Sequence, residues 1–406
     1  MPNITNQINE SINQHYYCQL TIRGMSIIPR NIINLTVREW IFEPVPRIEI
    51  MLNDDGMLTE LYTIEDGDII DLLLAKHDQI PTDQMLKCKF QVQDFQSNMV
   101  ADNSSTILYI TGLLYTPEMY FPIKNRSFKK KSSKDVIHTI ANECGLDFKP
   151  GQNFSTSDSM NWFQINQNNM DFINHIKERA YKANDCALCF ANTSNELIYT
   201  SLYTETSKDS SKIARYDLNK YSFDDFETAE DKRVLWYNYV NFINLMGTYN
   251  KQSNYKVSYQ YYDMTKKQEK DYSDTKHVFT DYSWKRFDRY NELVKHNNYG
   301  FLTKNTHNNY FLSQIQNEYL LKNFFGFALT INVNSLQKVK NLDIVNLIVP
   351  AMYKAGGDVN EIHSGKYLVA GIVHQIAKEG IYEKSLILCR DGFNASGIMK
   401  NYRSKA

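Results

Sequence analysis

The sequence has no hydrophobic run that approaches the roughly 20 residues a membrane-spanning helix needs. Residues 1–17 lack the charged-then-apolar order of a signal peptide. Cysteine is scarce, and most of the six cysteines lie in or at the ends of apolar runs, as small buried hydrophobes do in a reducing compartment. We therefore expect a chain without a membrane span that is made and folded in a cytosol.

An excess of charge of one sign is also lacking. The 45 basic and 46 acidic residues give a formal net charge of -1, so the basic footprint of a nucleic-acid-binding protein is missing. The phosphate loops G-x-x-x-x-G-K-[ST] and G-x-G-x-x-G do not occur, and neither does the nucleophile elbow G-x-S-x-G. These absences count against nucleotide-binding enzymes and serine hydrolases.

Aromatic residues, by contrast, are plentiful. The 406 residues include 28 Tyr and 21 Phe, and 42% of the chain is hydrophobic, enough for real cores. Tyrosine combines an apolar body with a polar tip and is typical of strands and protein interfaces. The length predicts two to four domains, at roughly 100–200 residues each.

Strand-like segments fill residues 1–122, with turn residues such as Pro29, 54–56 and 66–67 between them. Short strands at this spacing predict a β-sandwich or a barrel. Residues 123–205 predict a small α/β domain. In it, Ser132 marks the start of a helix and Gly145 its end.

The remainder divides into three parts. Residues 206–325 are a tyrosine-rich insertion with a helix predicted near 308–323, and part of this insertion can complete a second barrel. Residues 326–395 read as strands again and are predicted to form that second barrel. Residues 396–406 are a C-terminal tail.

Three strand signals of the first part recur in the last part in the same order. In the alignment of these segments, Asp68 corresponds to Asp343 and Gly112 corresponds to Gly371. Leu342 stands at the position of the turn glycine Gly67. The matched segments are RIEIMLN (47–53) with ALTINVN (328–334), DIIDLLL (68–74) with DIVNLIV (343–349), and LYITGLLYT (108–116) with YLVAGIVHQ (367–375). The pattern predicts an internal repeat.

The fold predicted from this repeat is mainly β (α+β), with two similar antiparallel β-barrels and an inserted small α/β domain. The strand at 364–376 is apolar on both faces, so we expect a barrel interior on one side and a neighbouring element on the other. Gly371 is expected at a bend or a close backbone approach. His374, aligned with Tyr115, is expected to be packing with one hydrogen-bonded ring nitrogen, where the strand leaves the packed zone.

Several segments, spread over most of the chain, together resemble a known protein family, and it is their order that makes the resemblance specific. Residues 162–181 are the most characteristic part, and about 206–310 is the least matched. The segments are WIFEPVPRIEIMLNDDG, EDGDIIDLLLA, YITGLLYTPEMYFPIKNRSFKKKSSKDVIHTIANECGLDF, MNWFQINQNNMDFINHIKERAY, ELIYTSLY and GKYLVAGIVHQIAKEGIYEKSLILCRDGF. The chain resembles the baseplate central hub proteins of contractile-tailed (T4-like) bacteriophages, which are related to the hub part of type VI secretion spike proteins.

The resemblance implies that the two barrels are tail-tube-like and that the protein is a homotrimer. Three chains with two barrels each would form a pseudo-six-fold ring that joins the six-fold tail tube protein to the three-fold central spike protein. Baseplate wedge proteins and the tape measure protein are further implied partners, and DNA would pass through the lumen without sequence-specific binding. The implied location is the virion tail baseplate, assembled in the host bacterial cytoplasm.

Two features invite a metal or catalytic interpretation. Cys186 and Cys189 form C-x-x-C, with His175 eleven residues upstream, but a zinc site would need a second pair and a redox site a βαβ context. We expect two buried strand thiols. His374 has no Ser or Cys motif beside it, so a catalytic role is disfavoured.

Two charged clusters also allow both a functional and a structural interpretation. Glu65, Asp66, Asp68 and Asp71 surround Gly67 and could suggest a glycosidase pair, but they favour a turn. The basic run 124–134 carries a single aromatic residue, which favours a solvated loop before a helix over a nucleic-acid patch; a contact to an acidic partner surface is the main alternative.

The sequence thus predicts no catalytic, cofactor-binding or metal-binding residue, and a structural hub that is not an enzyme. A tail-associated cell-wall hydrolase and a type VI secretion-like spike hub are the alternatives. The chain ends at Ala406, soon after the predicted second barrel. We therefore expect no fused spike, which weakens the last alternative.

Overall fold

A computed structural model gives the conformation of most of the chain. It describes residues 16–54, 57–75, 85–99, 106–183, 185–206, 214–217, 234–238, 257–263, 268–273, 294–297, 305–324, 327–333, 337–349, 360, 363–376 and 382–390. The fold is mainly β, as predicted. The predicted C-terminal tail, 396–406, lies outside the described residues. Among the helices described, none has the length and apolarity needed to cross a bilayer.

The first β unit comprises seven strands and two short turns of helix, a 3-10 turn at Pro29–Asn31 and a π turn at Met57–Leu61. The strands are β1 (Tyr17–Ile22), β2 (Met25–Ile27), β3 (Ile32–Trp40), β4 (Arg47–Asp54), β5 (Ile69–Ala75), β6 (Leu86–Met99) and β7 (Thr106–Leu114). They are hydrogen-bonded side by side in the order β3-β4-β7-β6-β5-β1-β2.

The α/β unit follows. Its elements are α1 (Pro117–Tyr120), β8 (Lys124–Lys131), α2 (Ser133–Glu143), β9 (Asp147–Pro150), β10 (Met160–Gln167), α3 (Asn169–Arg179), β11 (Ala187–Ala191), β12 (Glu196–Ser201) and α4 (Leu202–Thr206). Strands β8 and β10 form a two-stranded sheet, and β11-β12-β9 form a three-stranded one.

The rest of the chain supplies the second β unit and a small separate sheet. Its elements are β13 (Ala214–Asp217), β14 (Val234–Asn238), β15 (Val257–Asp263), β16 (Gln268–Ser273), β17 (Val294–Asn297), α5 (Tyr310–Phe324), β18 (Phe327–Val333), β19 (Ile344–Ile348), β20 (Gly365–Ile376) and β21 (Tyr382–Arg390). Strands β16-β15-β17 pair with one another, whereas β13, β14 and β18–β21 form the second β unit.

The two β units belong to one continuous sheet of 13 strands. Strand β20 of the second unit pairs antiparallel with β3 of the first, from Gly371 opposite Trp40 to Ile376 opposite Leu35. The two units are therefore curled half-barrels that share a sheet, and the described strands do not close into two separate barrels.

Each β unit curls around its own apolar core. Alternate side chains of β1, β3, β4, β5, β6 and β7 meet in one cluster, for example Leu20, Ile48 and Phe90. Strands from both ends of the first unit thus share an interior, which requires the sheet to bend over itself. The second unit has an equivalent core that includes Ile331 and Leu386.

Strand β20 is buried on both faces, as its apolar sequence predicts. Tyr367 and Val369 point into the core of the second unit. Leu368 and Ala370 point the other way, into a cluster shared with Phe190 and other residues of the α/β unit. The neighbouring element expected on the outer face is therefore the α/β unit of the same chain.

The two β units repeat one topology. Chain order and pairing together match β1 with β13, β3 with β14, β4 with β18, β5 with β19, β6 with β20 and β7 with β21. Bulges recur at matching places, one in β6 after Val92 and one in β20 after Val369. One difference is direction, because β1 pairs antiparallel with β5 whereas β13 pairs parallel with β19.

The turn before β5 recurs before β19 with the same hydrogen bonds. The Asp68 carboxylate accepts the Glu65 amide at 2.9 Å, and the Asp343 carboxylate accepts the Lys340 amide at 2.8 Å. Gly67 has φ +94° and Leu342, its counterpart, φ +73°. The predicted alignment of the two aspartates is therefore correct in three dimensions.

The third predicted match is wrong. The sequence aligned 108–116 (β7) with 367–375 (β20), yet the partners of β20 correspond to those of β6. Gly67 N–H and Leu342 N–H donate to the carbonyls of Val92 in β6 and Val369 in β20, at 2.9 and 2.8 Å. The correct alignment places KFQV (89–92) over KYLV (366–369), so His374 does not correspond to Tyr115.

Both glycines of the mismatched pair nevertheless do what was expected of them. A Cβ on Gly112 would lie 2.9 Å from the carbonyl oxygen of Gln91, and a Cβ on Gly371 would lie 3.0 Å from that of Glu39. Neighbouring strands thus approach these residues closely, which leaves no room for a side chain.

The helix signals are also confirmed. The Ser132 side chain accepts the Asp135 amide at the start of α2, and Gly145, with φ +67°, follows its end. Helix α3 is capped in the same way, because the Asn168 side chain accepts the Asp171 amide.

We expect Gly371→Ala to lower the free energy of unfolding by about 1–3 kcal/mol, because the added methyl group must displace β3 or the Ile387 side chain. Urea denaturation measures the change. Lys366→Ala, at an exposed position of the same strand, is the control and should stay within about 0.5 kcal/mol of the parent. Equal stability of the two variants would contradict the close approach.

Candidate assembly surfaces and a polar junction

A buried carboxylate lies where the three units meet. Glu39, on β3, is opposite Ile372 of β20 and only 6% exposed. Thr193 of the α/β unit donates its hydroxyl to one carboxylate oxygen, and Asn341 of the second β unit donates to the other at 3.2 Å. Burial raises the pKa of Glu39, although the hydrogen bonds from Thr193 partly offset this effect.

A buried lysine and histidine lie on adjacent strands beside it. Lys384 of β21 is opposite His374 of β20, and its ammonium donates to the backbone carbonyl of Gln337. Burial lowers the pKa of Lys384 to about 8, although the negative charges of Glu39 and Asp343 act to raise it. Burial and the Lys384 charge lower the pKa of His374 to about 3. The imidazole is therefore neutral at pH 7.

His374 packs through both its ring and its polar atoms. The Nδ1 atom lies 2.7 Å from the Tyr382 hydroxyl, and the two rings stack with centroids 6.0 Å apart. The hydrogen-bonded ring nitrogen expected from the sequence is present. The expected position is wrong, because His374 is buried, where β3 covers the strand.

These groups, which we call the polar junction (Glu39, Thr193, Asn341, His374 and Lys384), line a cavity of about 310 Å³ between the three units. Each carboxylate oxygen of Glu39 is already engaged, and the neutral His374 is tied to Tyr382. The arrangement binds the units to one another, and it does not hold a nucleophile beside a free base.

The C-x-x-C thiols face different cores. Cys186 packs with Phe190 and residues of the second β unit, whereas Cys189 packs with helices of the α/β unit. Burial raises the pKa of Cys189 to about 12 and that of Cys186 well above its ordinary value. Because the thiolate is the form that binds metals, this placement opposes a metal or redox site. No group of three or more His, Cys, Asp or Glu side chains in the described ranges could hold a metal ion.

The acidic cluster is part of the turn before β5. Asp68 accepts the Glu65 amide and lies 3.7 Å from the Arg23 guanidinium. Asp71 pairs with Lys89 on the neighbouring strand at 3.1 Å, with both side chains largely exposed. These carboxylates serve a turn and surface ion pairs.

The basic run is a strand, contrary to the expected loop. Alternate residues of β8 point inward, where Arg126 and Lys124 reach Glu143, and Phe128 stacks on Phe172. Burial alone would raise the pKa of Glu143, but hydrogen bonds and charge from Arg126 and Lys124 outweigh it and lower that pKa. Lysines 129, 130 and 131 are exposed.

Four exposed large apolar side chains lie on β10 and just before β8, and the sequence did not single them out. Phe163 and Ile165 of β10 are 46% and 68% exposed, and Phe121 and Ile123, just before β8, are 62% and 57% exposed. The signal available in the sequence was the alternation in β10, where the buried Trp162 and Gln164 alternate with the exposed Phe163 and Ile165.

No protein-family model matches the sequence, and no curated protein matches it. Two solved structures resemble it over nearly their whole length. The tail protein from Neisseria meningitidis MC58 has a TM-score of 0.56 and 9% identity, covering 93% of this chain and 97% of that chain. The 43 kDa tail protein of prophage MuSo2 from Shewanella oneidensis has a TM-score of 0.57 and 9% identity, covering 93% and 100%.

The chain therefore has the fold of phage tail proteins of this kind, and at 9% identity the likeness concerns the fold alone. A looser likeness is to the E. coli c3393 protein, described as a component of the type VI secretion system, with a TM-score of 0.44 and 9% identity over 92% of this chain and 76% of that one.

We expect His374→Gln to flatten the pH dependence of stability. The native imidazole binds its proton only near pH 3, whereas the unfolded one does so near the ordinary value of 6.5. The unfolded state thus holds more protons between these values, and stability falls as the pH falls through that window. Urea denaturation at pH 7 and pH 5 should show about 2 kcal/mol less loss in the variant.

Gln375→Asn, a non-titrating change next to His374, is the control and should keep the parental pH dependence. A parental loss between pH 7 and pH 5 that His374→Gln leaves unchanged would contradict the buried neutral histidine.

Proposed function

We propose that this protein is the structural hub of a phage tail baseplate. It forms a homotrimer that joins the six-fold tail tube to the three-fold central spike. The observation that carries the proposal is the repeat, because two half-barrels of one topology lie side by side in each chain. Three such chains present six similar units to a six-fold partner while keeping three-fold symmetry for the other.

The fold supports the same role. Two solved structures that share it over nearly their whole length are tail proteins. The partners in this proposal are the tail tube protein on one side and the central spike protein on the other, with baseplate wedge proteins and the tape measure protein at further surfaces. DNA passes through the lumen without sequence-specific binding, and the hub is assembled in the host cytoplasm and resides in the virion tail.

The proposed role is not enzymatic. The carboxylates that suggested a glycosidase are engaged in a turn and in ion pairs, and the buried His374 is stacked on Tyr382. A pair of catalytic carboxylates would need one acid and one base flanking a substrate cleft. The described acidic residues around Gly67 support a structural use instead.

The purified chain is expected to have a native mass of about 142 kDa, three times the 47.5 kDa of one copy. Light scattering during size-exclusion chromatography, or native mass spectrometry, measures it. A stable 47.5 kDa species at micromolar concentration would count against the trimer.

Incubation with purified peptidoglycan is expected to release no soluble fragments above a buffer control. If fragments did appear, Asp68→Asn would decide their source. Turnover that disappears in this variant, while its fold is retained by circular dichroism, would replace the structural role with that of a tail-associated cell-wall hydrolase.

A further inference from the structure

The cavity lined by the polar junction is large enough for a small molecule. Its volume of about 310 Å³ matches a small ligand pocket and is many times the space that one water molecule needs. Each of the three units supplies part of the wall, for example Glu39, Ile198 and Ile372. Ser194 and Lys340 are exposed residues of the same wall, so the cavity reaches the surface.

Lys384 places a positive charge in this wall without a carboxylate beside it. The side chain is 7% exposed, and one of its three N–H groups donates to the carbonyl of Gln337. Within the described part of the chain, no carboxylate oxygen lies within 4.0 Å of the ammonium, and no second acceptor binds it. Because buried charges are normally paired, the two remaining N–H groups suit an anionic group in the cavity.

Two further polar atoms of the junction also lack a partner. The Oδ1 atom of Asn341 is buried and accepts no hydrogen bond, although the Nδ2 group of the same side chain donates to Glu39. In His374 only Nδ1 is bonded, to Tyr382, and Nε2 has no partner among the described residues. A buried polar group without a hydrogen bond is destabilising unless water or a ligand satisfies it.

The charges around the cavity favour the same chemistry. Both glutamates of the wall are engaged by neighbouring side chains, Glu196 by Asn192 at 2.8 Å and Glu39 by Thr193. The positive side is larger by one residue, because the charged residues of the wall are Glu39, Glu196, Lys338, Lys340 and Lys384. An anion therefore meets more attraction than repulsion here.

We propose that this cavity binds a small hydroxycarboxylate. Its carboxylate accepts a hydrogen bond from the Lys384 ammonium, its hydroxyl donates to Asn341 Oδ1, and a further oxygen contacts His374 Nε2. The bound molecule touches all three units and stabilises their relative positions. The site is complete within one chain, so it depends neither on the trimer nor on the tail partners proposed above.

The test is isothermal titration calorimetry of the purified full-length chain at pH 7, with L-malate as the probe. Succinate, which lacks only the hydroxyl, and the butanetriol in which hydroxyls replace both carboxylates are matched control ligands. We expect L-malate to bind at one site per chain and succinate to bind about tenfold more weakly, the loss of one hydrogen bond. The triol should give no measurable binding.

Lys384→Met removes the ammonium and nearly keeps the size of the side chain. We expect this variant to bind L-malate at least about tenfold more weakly than the parent, because a hydrogen bond to a charged group is lost. Lys129→Met, the same change at an exposed position of β8 outside the cavity, is the control and should bind as the parent does. Circular dichroism verifies that both variants are folded.

The pH dependence of the unmodified chain gives a second reading that needs no variant to fold. Only the charged ammonium pairs with a carboxylate, and the pKa of Lys384 is about 8. The dissociation constant of L-malate should therefore rise about tenfold between pH 7 and pH 9. The titratable and charged groups around this ammonium are Glu39 on β3, His374 on β20, Asp343 before β19, and Lys338, Lys340 and Glu196 in the cavity wall.

Three results would overturn the proposal. These are no binding of L-malate at millimolar concentration, equal affinity for L-malate and succinate, and a dissociation constant that does not change between pH 7 and pH 9. None of these results bears on the mass of the oligomer. Failure of the ligand site therefore leaves the proposed hub role standing, and a monomeric mass leaves the ligand site standing.

Discussion

The antiparallel pairing of β3 with β20 is the interaction on which the rest of the structure depends. It turns two half-barrels that are far apart in sequence into one sheet, and it covers an edge of β20 that would otherwise be open. It also brings the Glu39 carbonyl so close to Gly371 that no side chain fits there. The position of each half-barrel relative to the other follows from this one ladder.

The polar junction is a consequence of the same ladder. Pairing puts Glu39 next to Ile372, and the α/β unit then supplies Thr193 while the loop before β19 supplies Asn341. Burying a carboxylate and a lysine adds little net stability compared with an apolar core, but losing one partner is costly. Such a junction penalises any arrangement in which the three units meet at another angle, while the apolar cores provide most of the stabilisation.

The sequence predicted what depends on local pattern. The caps of α2, the mainly β fold, the two aspartate turns and the tight glycines could all be read from short segments. The equivalence of β20 with β6 could not be predicted from the sequence, because β7 is just as apolar. Only the pairing of distant strands shows that β6, and not β7, is the counterpart of β20. The polar junction was not predicted for the same reason, since its residues come from distant parts of the chain.

The prediction of a loop for the basic run at β8 failed for a different reason. Its lysines suggested a solvated loop, yet its inward residues Arg126 and Phe128 alternate with exposed ones and find Glu143 and Phe172. Long basic side chains can lie on the inward face of a strand when a carboxylate pairs with their charged ends. A run of positive charge therefore does not by itself indicate irregular structure.

The turn at Lys340 to Asp343 has a positive φ at Leu342, where the matching turn before β5 has Gly67. A left-handed conformation costs a residue with a side chain roughly 1–2 kcal/mol. Leu342 is 4% exposed and packs in an apolar cluster, and burying a leucine side chain returns roughly 1.5–3 kcal/mol. Two turns of one shape can thus be built in different ways, one from the backbone freedom of a glycine and the other from the core packing of a leucine. The aspartate that accepts the amide hydrogen bond, and not the glycine, is the residue that both turns share.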